Sequence, residues 1–287
     1  MTTAGNPLPT VAVLGAGTMG SGIAQVFAAA GHQVAVFDIQ AEALTRAMKN
    51  ISRNLAQARE KGKLTAEQEQ QTLQRISYTS ELGTLVVDVV IEAVVERTDV
   101  KQKLFCELAA INPPQTILAT NTSSIPITQI AAGVPNPERV VGVHFFNPAH
   151  IMKLVEIISG AQTDTAVAER MKAMVEKTGK VCVMAKDAPG FIVNRVARHY
   201  YVEGLKLLEE QVAAFEDIDA LAEASGFKLG PFRLMDLIGV DTNFSVTSSM
   251  YALFHQDGKF RPSRIQQQKV DAGHWGKKTG KGFYTYE

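Results

Sequence analysis

The chain has 287 residues, 46% hydrophobic and 20% charged, which is globular composition at a length suited to roughly two domains. Its 29 basic residues equal its 29 acidic ones, so it lacks the cationic excess that draws a chain to nucleic acid or to an anionic membrane surface. Two cysteines, Cys106 and Cys182, stand far apart, which argues against a disulfide framework or cysteine zinc site, and no apolar run approaches the ~18 residues of a membrane span.

Residues 1–10 carry neither a positive segment nor an apolar stretch and read as a short disordered lead rather than a signal peptide, so a soluble, cytoplasmic protein is expected. Val-Ala-Val-Leu over 11–14 is a buried-strand run, followed by an Ala-rich helix over 21–30 and a strand over 33–37. Helical segments follow over 41–61 and 65–75, the second opened by Thr65 and Gln68 in the pattern of a capping box. Strands are expected over 86–95, 116–120, 140–146, 153–158 and 180–185, with helices over 98–111 and 165–177. This alternation predicts a sheet wound with crossover helices, parallel in its first half. The strands at 140–146 and 153–158 leave no room for a helix between them and should pair antiparallel. From Asp187-Ala-Pro-Gly190 onward the pattern turns helical, over 192–213, 218–224, 234–254 and 262–272, with a strand only in the tail at 282–286. The expected architecture is an α/β domain over 1–188, a mainly parallel sheet with an antiparallel extension, followed by an all-helical domain over 189–287. A helical domain of about 100 residues buries little apolar surface alone, which points to a homodimer.

The turn after the first strand reads Gly15-Ala-Gly-Thr-Met-Gly20, a G-x-G-x-x-G between strand and helix, as a dinucleotide fingerprint requires. Gly15 permits the tight turn, Gly17 lets a pyrophosphate approach the backbone, and Gly20 allows helix to pack on strand. Helix-start amides, with Thr18 and Met19 in the first turn, then face the phosphates. Asp38 ends the second strand, where an acid accepts hydrogen bonds from a ribose diol and repels a 2′-phosphate, so NAD is expected over NADP. Neither H-E-x-x-H nor G-x-S-x-G occurs, and no metal site is expected. Gly276-Lys-Lys-Thr-Gly-Lys281 has the wrong glycine spacing and no preceding strand for a phosphate loop.

A nicotinamide enzyme acting on an alcohol needs a base for the hydroxyl proton, and histidine suits the task. Of six histidines, His144 stands out inside the apolar run Val140-Val-Gly-Val-His-Phe-Phe146, where an imidazole requires a partner. Glu156, in the next strand, can share a face with it if the two strands pair. The residues alone leave two readings open, a catalytic base or a structural histidine satisfied by a carboxylate.

Taken together, Gly15-Ala-Gly-Thr-Met-Gly-Ser-Gly-Ile-Ala24, Asn121-Thr-Ser-Ser124, His144-Phe-Phe-Asn-Pro148, Met152-Lys-Leu-Val-Glu156, Pro189-Gly-Phe-Ile-Val-Asn-Arg195 and Gly280-Lys-Gly-Phe-Tyr284 resemble the L-3-hydroxyacyl-CoA dehydrogenase family. The motifs fall in family order from about Val11 to Tyr284, and the nearest likeness is to the single-function bacterial 3-hydroxybutyryl-CoA dehydrogenases. The resemblance implies a Rossmann-like first domain with NAD as cofactor, and a second domain for substrate binding and dimerisation. It implies His144 as base, Glu156 as its orienting acid, and Ser123 and Asn194 as hydrogen-bond donors to the substrate oxygens. Glu96, Lys101, Asn121, Ser123, Asn147 and Lys281 fall where the family contacts the cofactor or its surroundings.

Arg53, Arg59, Lys61 and Lys63 fall where the family meets CoA, Arg59 and Lys61 being taken as substrate contacts, although a solvated helix face would look the same. One departure is Phe227-Lys-Leu-Gly-Pro231, where many members have His-Pro-Met-Gly-Pro. Lys228 or Arg233 could therefore favour an acyl chain ending in carboxylate, such as 3-hydroxyadipyl-CoA, against the simpler reading of a surface cation. Two other readings compete: a non-catalytic NAD-binding structural protein, since lens lambda-crystallins resemble the same family, and a 2-hydroxyacid or sugar-acid dehydrogenase. The joint at 187–190 suggests closure over substrate.

Overall fold

The computed structural model describes residues 7–287, so the first part of the expected lead, residues 1–6, lies outside the described residues. The chain divides into two compact units, Met1–Ala188 and Pro189–Glu287.

The first unit runs β1 (Val11–Leu14), α1 (Thr18–Ala29), β2 (Val34–Phe37), α2 (Ala41–Glu60), α3 (Ala66–Gln74), β3 (Ile76–Thr79), β4 (Val89–Glu92), α4 (Thr98–Ile111), β5 (Ile117–Thr120), α5 (Ile127–Ala131), β6 (Val140–Phe145), β7 (Leu154–Ser159), α6 (Thr165–Glu176) and β8 (Val181–Lys186). Among the described residues these strands form one eight-stranded sheet in the order β3-β2-β1-β4-β5-β6-β7-β8. All neighbours are parallel except β6 and β7, which run antiparallel as their short connection requires. The central strands β1, β4, β5 and β6 are buried throughout, which explains their unbroken apolar runs: helices cover both faces of a parallel sheet.

Helix α1 is buried at every position from Gly20 to Ala28, and its small residues let it lie close on the sheet. Helix α2 instead buries only Ala43, Ala47, Ile51 and Leu55, a single stripe at one-turn spacing. Thr65 accepts from the Gln68 amide while Gln68 reaches back to the Thr65 amide, so the expected capping box forms.

The second unit comprises α7 (Val193–Glu209), α8 (Phe215–Ala224), α9 (Pro231–Ile238), α10 (Val240–Leu253) and α11 (Arg264–Asp271). Its core gathers Tyr201, Leu205, Phe232, Met235, Val240 and Phe283. The expected single helix over 234–254 is two helices, because Gly239 adopts φ +108° and breaks the hydrogen-bond ladder. The expected strand at 282–286 is instead a looped tail touching only isolated bridges, such as Lys281 with Thr285. Its backbone is held by a side chain: Asp236, fully buried, accepts the amides of Phe283 and Tyr284 at 2.9 Å and the Tyr286 hydroxyl at 3.0 Å. Gly282 sits where any Cβ would collide with that carboxylate. Asp219 does the same for the start of α9, accepting the amides of Phe232 and Arg233 and the Tyr284 hydroxyl, all at 2.9 Å.

Strand β3 and helix α5 were not expected, since each is short and β3 is a half-exposed edge with only Ile76 fully inside.

Asp236→Ala should strand two buried amides and release the tail, a loss of about 3 kcal/mol or more. Urea unfolding followed at Trp275, the single tryptophan, should show a lower midpoint.

Candidate active site

In sheets of this topology, ligands bind beyond the carboxyl ends of the strands, where chain direction of travel reverses, here between β1 and β4. The loop leaving β1 is shaped accordingly. Gly15 adopts φ +94° and donates its amide to Phe37 O at 2.8 Å, and a Cβ there would sit 2.6 Å from Ala93 O. A Cβ on Gly20 would strike the Gly15 carbonyl, whereas one on Gly17 would meet nothing within 4 Å. Gly15 and Gly20 therefore serve the protein's own packing, while Gly17 keeps the backbone open toward a ligand. Helix α1 has no side-chain cap and no acid in its first turn, so its leading amides and positive dipole end suit an anion. Asp38 pins this loop: Oδ2 accepts the Ala16 amide at 2.8 Å and Oδ1 the Gln40 amide at 2.9 Å. Each carboxylate oxygen keeps acceptor capacity for a diol. These residues fit a dinucleotide, with the pyrophosphate at the start of α1 and the ribose at Asp38.

Behind the ends of β4 and β5 lies a charge cluster that sequence reasoning saw only in part. Lys101 is buried on α4 and donates to Glu92 Oε1 at 2.6 Å, while its ammonium lies 3.2 Å from Glu96 Oε2. Glu92, fully buried, also accepts the Val94 amide and the Thr120 hydroxyl, each at 2.7 Å. Glu96 accepts the Thr122 hydroxyl at 2.6 Å and the Ser123 amide at 3.0 Å, so it shapes the loop that presents Ser123. Burial pushes the Glu96 carboxyl up, but Lys101, Thr122 and Ser123 together outweigh it and hold it below the ordinary range. Asn121 closes the loop's other side by accepting the Phe145 amide at 2.9 Å. Glu92 was missed although a signal existed, an acid ending the apolar run Val89-Val-Ile91.

His144 and Glu156 face each other in the β6–β7 register, and their side chains meet: Nδ1 lies 2.8 Å from Glu156 Oε2. Both are buried. An ionised carboxylate only accepts, so Nδ1 carries the proton and Nε2 is the basic nitrogen. The Phe146 ring packs on the imidazole at 4.5 Å between centroids. Asn147 follows in the exposed connection to β7, whose carbonyls at Ala149 and Met152 are gathered by Lys180 at 2.6 and 2.7 Å.

The structure thus brings Gly15, Gly17, Thr18, Met19, Gly20, Asp38, Glu96, Lys101, Asn121, Ser123, His144, Asn147 and Glu156 to one unit. Asn194 and Lys281 belong to the other, Asn194 in the first turn of α7 and Lys281 exposed in the tail. The basic residues considered for CoA are exposed, and Arg59 pairs with Glu69 at 2.9 Å; Lys61 lies just past the end of α2. Arg233, considered for an acyl carboxylate, is already engaged: it lies 3.5 Å from Glu223 and 4.0 Å from Asp219, with its guanidinium 4.4 Å from the Tyr284 ring centroid.

Residues 10–188 match the NAD-binding domain of 3-hydroxyacyl-CoA dehydrogenase, and residues 190–286 match its C-terminal domain. The chain belongs to the 3-hydroxyacyl-CoA dehydrogenase family. Over 96% of its length it is 53% identical to a 3-hydroxyadipyl-CoA dehydrogenase of Escherichia coli, of which it spans 59%. It is 42% identical to a probable 3-hydroxybutyryl-CoA dehydrogenase of Bacillus subtilis, the match covering 96% of this chain and 97% of the relative. A crystal structure of an E. coli 3-hydroxybutyryl-CoA dehydrogenase superposes with a TM-score of 0.94 at 53% identity, covering 96% of this chain and 59% of that one. Among the described residues no helix is long and apolar enough to cross a membrane.

Because the Glu96 carboxyl is held low, its stabilising contribution is present above about pH 4.3, the ordinary glutamate value, and is lost as pH falls through the lower folded value. Glu96→Gln should therefore lower the urea midpoint at pH 7, and the gap to the unsubstituted protein should narrow on titration toward pH 3.

Proposed function

We propose that the chain catalyses the NAD-dependent, reversible oxidation of a short-chain (3S)-3-hydroxyacyl-CoA to the 3-ketoacyl-CoA. The observation that carries this reading is the buried His144–Glu156 pair, 2.8 Å apart, in the same unit as the dinucleotide loop. When bound, NAD supplies the acceptor for the hydride from the carbinol carbon. His144 Nε2 takes the hydroxyl proton, and Glu156, hydrogen-bonded through Nδ1, holds the ring in the required tautomer and stabilises the imidazolium. Ser123, whose loop is set by Glu96, donates toward the developing oxygen charge, and Asn194 serves the substrate oxygens from α7. Glu96, Lys101, Asn121, Asn147 and Lys281 complete the cofactor's surroundings, and Arg59 and Lys61 lie where the CoA nucleotide would find cations.

The names of the relatives divide between 3-hydroxybutyryl-CoA and 3-hydroxyadipyl-CoA, substrates that differ only beyond the reacting carbons. A non-catalytic NAD-binding protein would bind NADH but leave acetoacetyl-CoA unreduced. A 2-hydroxyacid or sugar-acid dehydrogenase would turn over substrate without a CoA thioester. We further propose a homodimer formed through the helical unit, whose surface exposes Val196, Leu221, Phe227 and Leu237, and a cytoplasmic location, in keeping with two free cysteines.

His144→Gln should lower kcat for NADH-dependent reduction of acetoacetyl-CoA by about 100- to 10,000-fold, with NADH affinity nearly intact by fluorescence titration. Turnover at the normal rate would remove His144 from the chemistry. Asp38→Ala should weaken NAD and relax discrimination against NADP, and an unchanged ratio of kcat/KM values for the two cofactors would refute the ribose assignment.

A further inference from the structure

The trio of Glu92, Lys101 and Glu96 carries one more negative charge than positive. The Lys101 ammonium lies 2.6 Å from Glu92 Oε1 and 3.2 Å from Glu96 Oε2, so one cation answers two carboxylates. The other donors to Glu92, the Val94 amide and the Thr120 hydroxyl at 2.7 Å, are neutral. Close by in the chain, Arg97 and Asp99 pair with each other at the surface and cancel. The side chains of Glu92 and Lys101 are no more than 1% exposed, so water screens the surplus charge poorly.

Strand register says what this charge faces. Leu14, Glu92, Thr120 and Gly142 are successive partners across β1, β4, β5 and β6 and form one row of the sheet. They lie on the face opposite α1, which shares a core with Val13, Ile91, Ala119 and Val143. His144 stands two residues beyond Gly142 and, by the alternation of a strand, on that same face. The dinucleotide loop rises from Leu14 at one end of the row. The catalytic pair rises from Gly142 at the other end, three strand intervals or about 14 Å away. A nicotinamide held from that loop and facing a carbinol at His144 therefore lies above the middle of the row, where Glu92 and Thr120 stand. Glu92 and His144 are about 12 Å apart at Cα by the same spacings, and a ring between them is nearer still to the charge.

Alcohol oxidation moves a unit of positive charge along this row. Hydride leaves the carbinol carbon with both bonding electrons and discharges the oxidised nicotinamide. The hydroxyl proton passes to His144 Nε2, and the positive charge reappears on the imidazole, where Glu156 stabilises it. We propose that Glu92 is the counterweight: its charge, left over beside Lys101 and Glu96, favours the cationic ring and so the oxidised cofactor over the reduced one. The two acids then oppose each other in setting the direction of hydride transfer, Glu156 toward the ketone and Glu92 toward the alcohol. Fully buried, Glu92 acts through its field rather than by contact. The assignment rests on the dehydrogenase reading of the site.

The test is the ratio of Kd values for NAD and NADH, measured without substrate by calorimetry and by fluorescence titration. The two forms share the ribose, phosphate and carboxamide groups, so the ratio isolates the ring and its charge. Glu92→Gln should weaken NAD relative to NADH by about 5- to 30-fold, as the loss of one charge at about 8 Å in a partly polar surround allows. ADP-ribose, which lacks the ring, should bind this variant nearly as well as it binds the unsubstituted protein. Glu92→Asp, which keeps the charge, should keep most of the original ratio. An unchanged ratio in Glu92→Gln, including an equal loss for all three ligands, makes Glu92 a structural residue only and overturns the assignment. If Glu92→Gln does not fold, Glu96→Gln decides, because it removes the same charge from the partly exposed side of the trio. A shift in the same sense supports the assignment, and no shift overturns it. Failure of the unsubstituted protein to bind either form of the cofactor brings down the dinucleotide reading, and this assignment with it.

Discussion

The reversal of chain direction between β6 and β7 is the constraint on which the proposed chemistry depends. Antiparallel pairing places residues directly opposite one another, so the register that aligns His144 with Glu156 also brings an imidazole and a carboxylate within hydrogen-bond distance. Both side chains are buried, and neither would be tolerated there without the other. A slip of one residue in that register would turn Glu156 to the opposite face and leave His144 facing an aliphatic side chain. The catalytic pair is therefore a consequence of sheet registry, and the short connection after Phe145, gathered by Lys180, helps to fix that registry.

The buried charges of the chain divide by how they are answered. Lys101 lies between Glu92 and Glu96, and the surplus negative charge of this trio is spread over amides and hydroxyls of the loops that follow β4 and β5. Asp219 and Asp236 have no cation in hydrogen-bond contact, yet each accepts two backbone amides and a tyrosine hydroxyl, enough donors to hold a carboxylate in the interior. Burial and the adjoining acids push the Tyr284 and Tyr286 hydroxyls up, which keeps them protonated as donors. These groups organise backbone and are explained by what they touch. Arg139 and Arg198, equally buried, are held by backbone carbonyls, with the Thr247 hydroxyl added at Arg198.

Much of this was legible in the sequence where one residue carries one physical signal. Gly15 and Gly20 specify a turn that other residues cannot make, Gly17 leaves the backbone open to a ligand, and 140–146 followed closely by 153–158 admits only an antiparallel return. Thr65 with Gln68 marks a helix start through reciprocal bonds that need no tertiary context. The parts that escaped depend on distant partners. Gly239 splits a helix whose apolar pattern runs on through it, and the tail over 282–286 has alternating aromatic residues without a strand to pair with. The tail is ordered instead by Asp236, and the loop that carries Ser123 by Glu96; neither contact has a local signature.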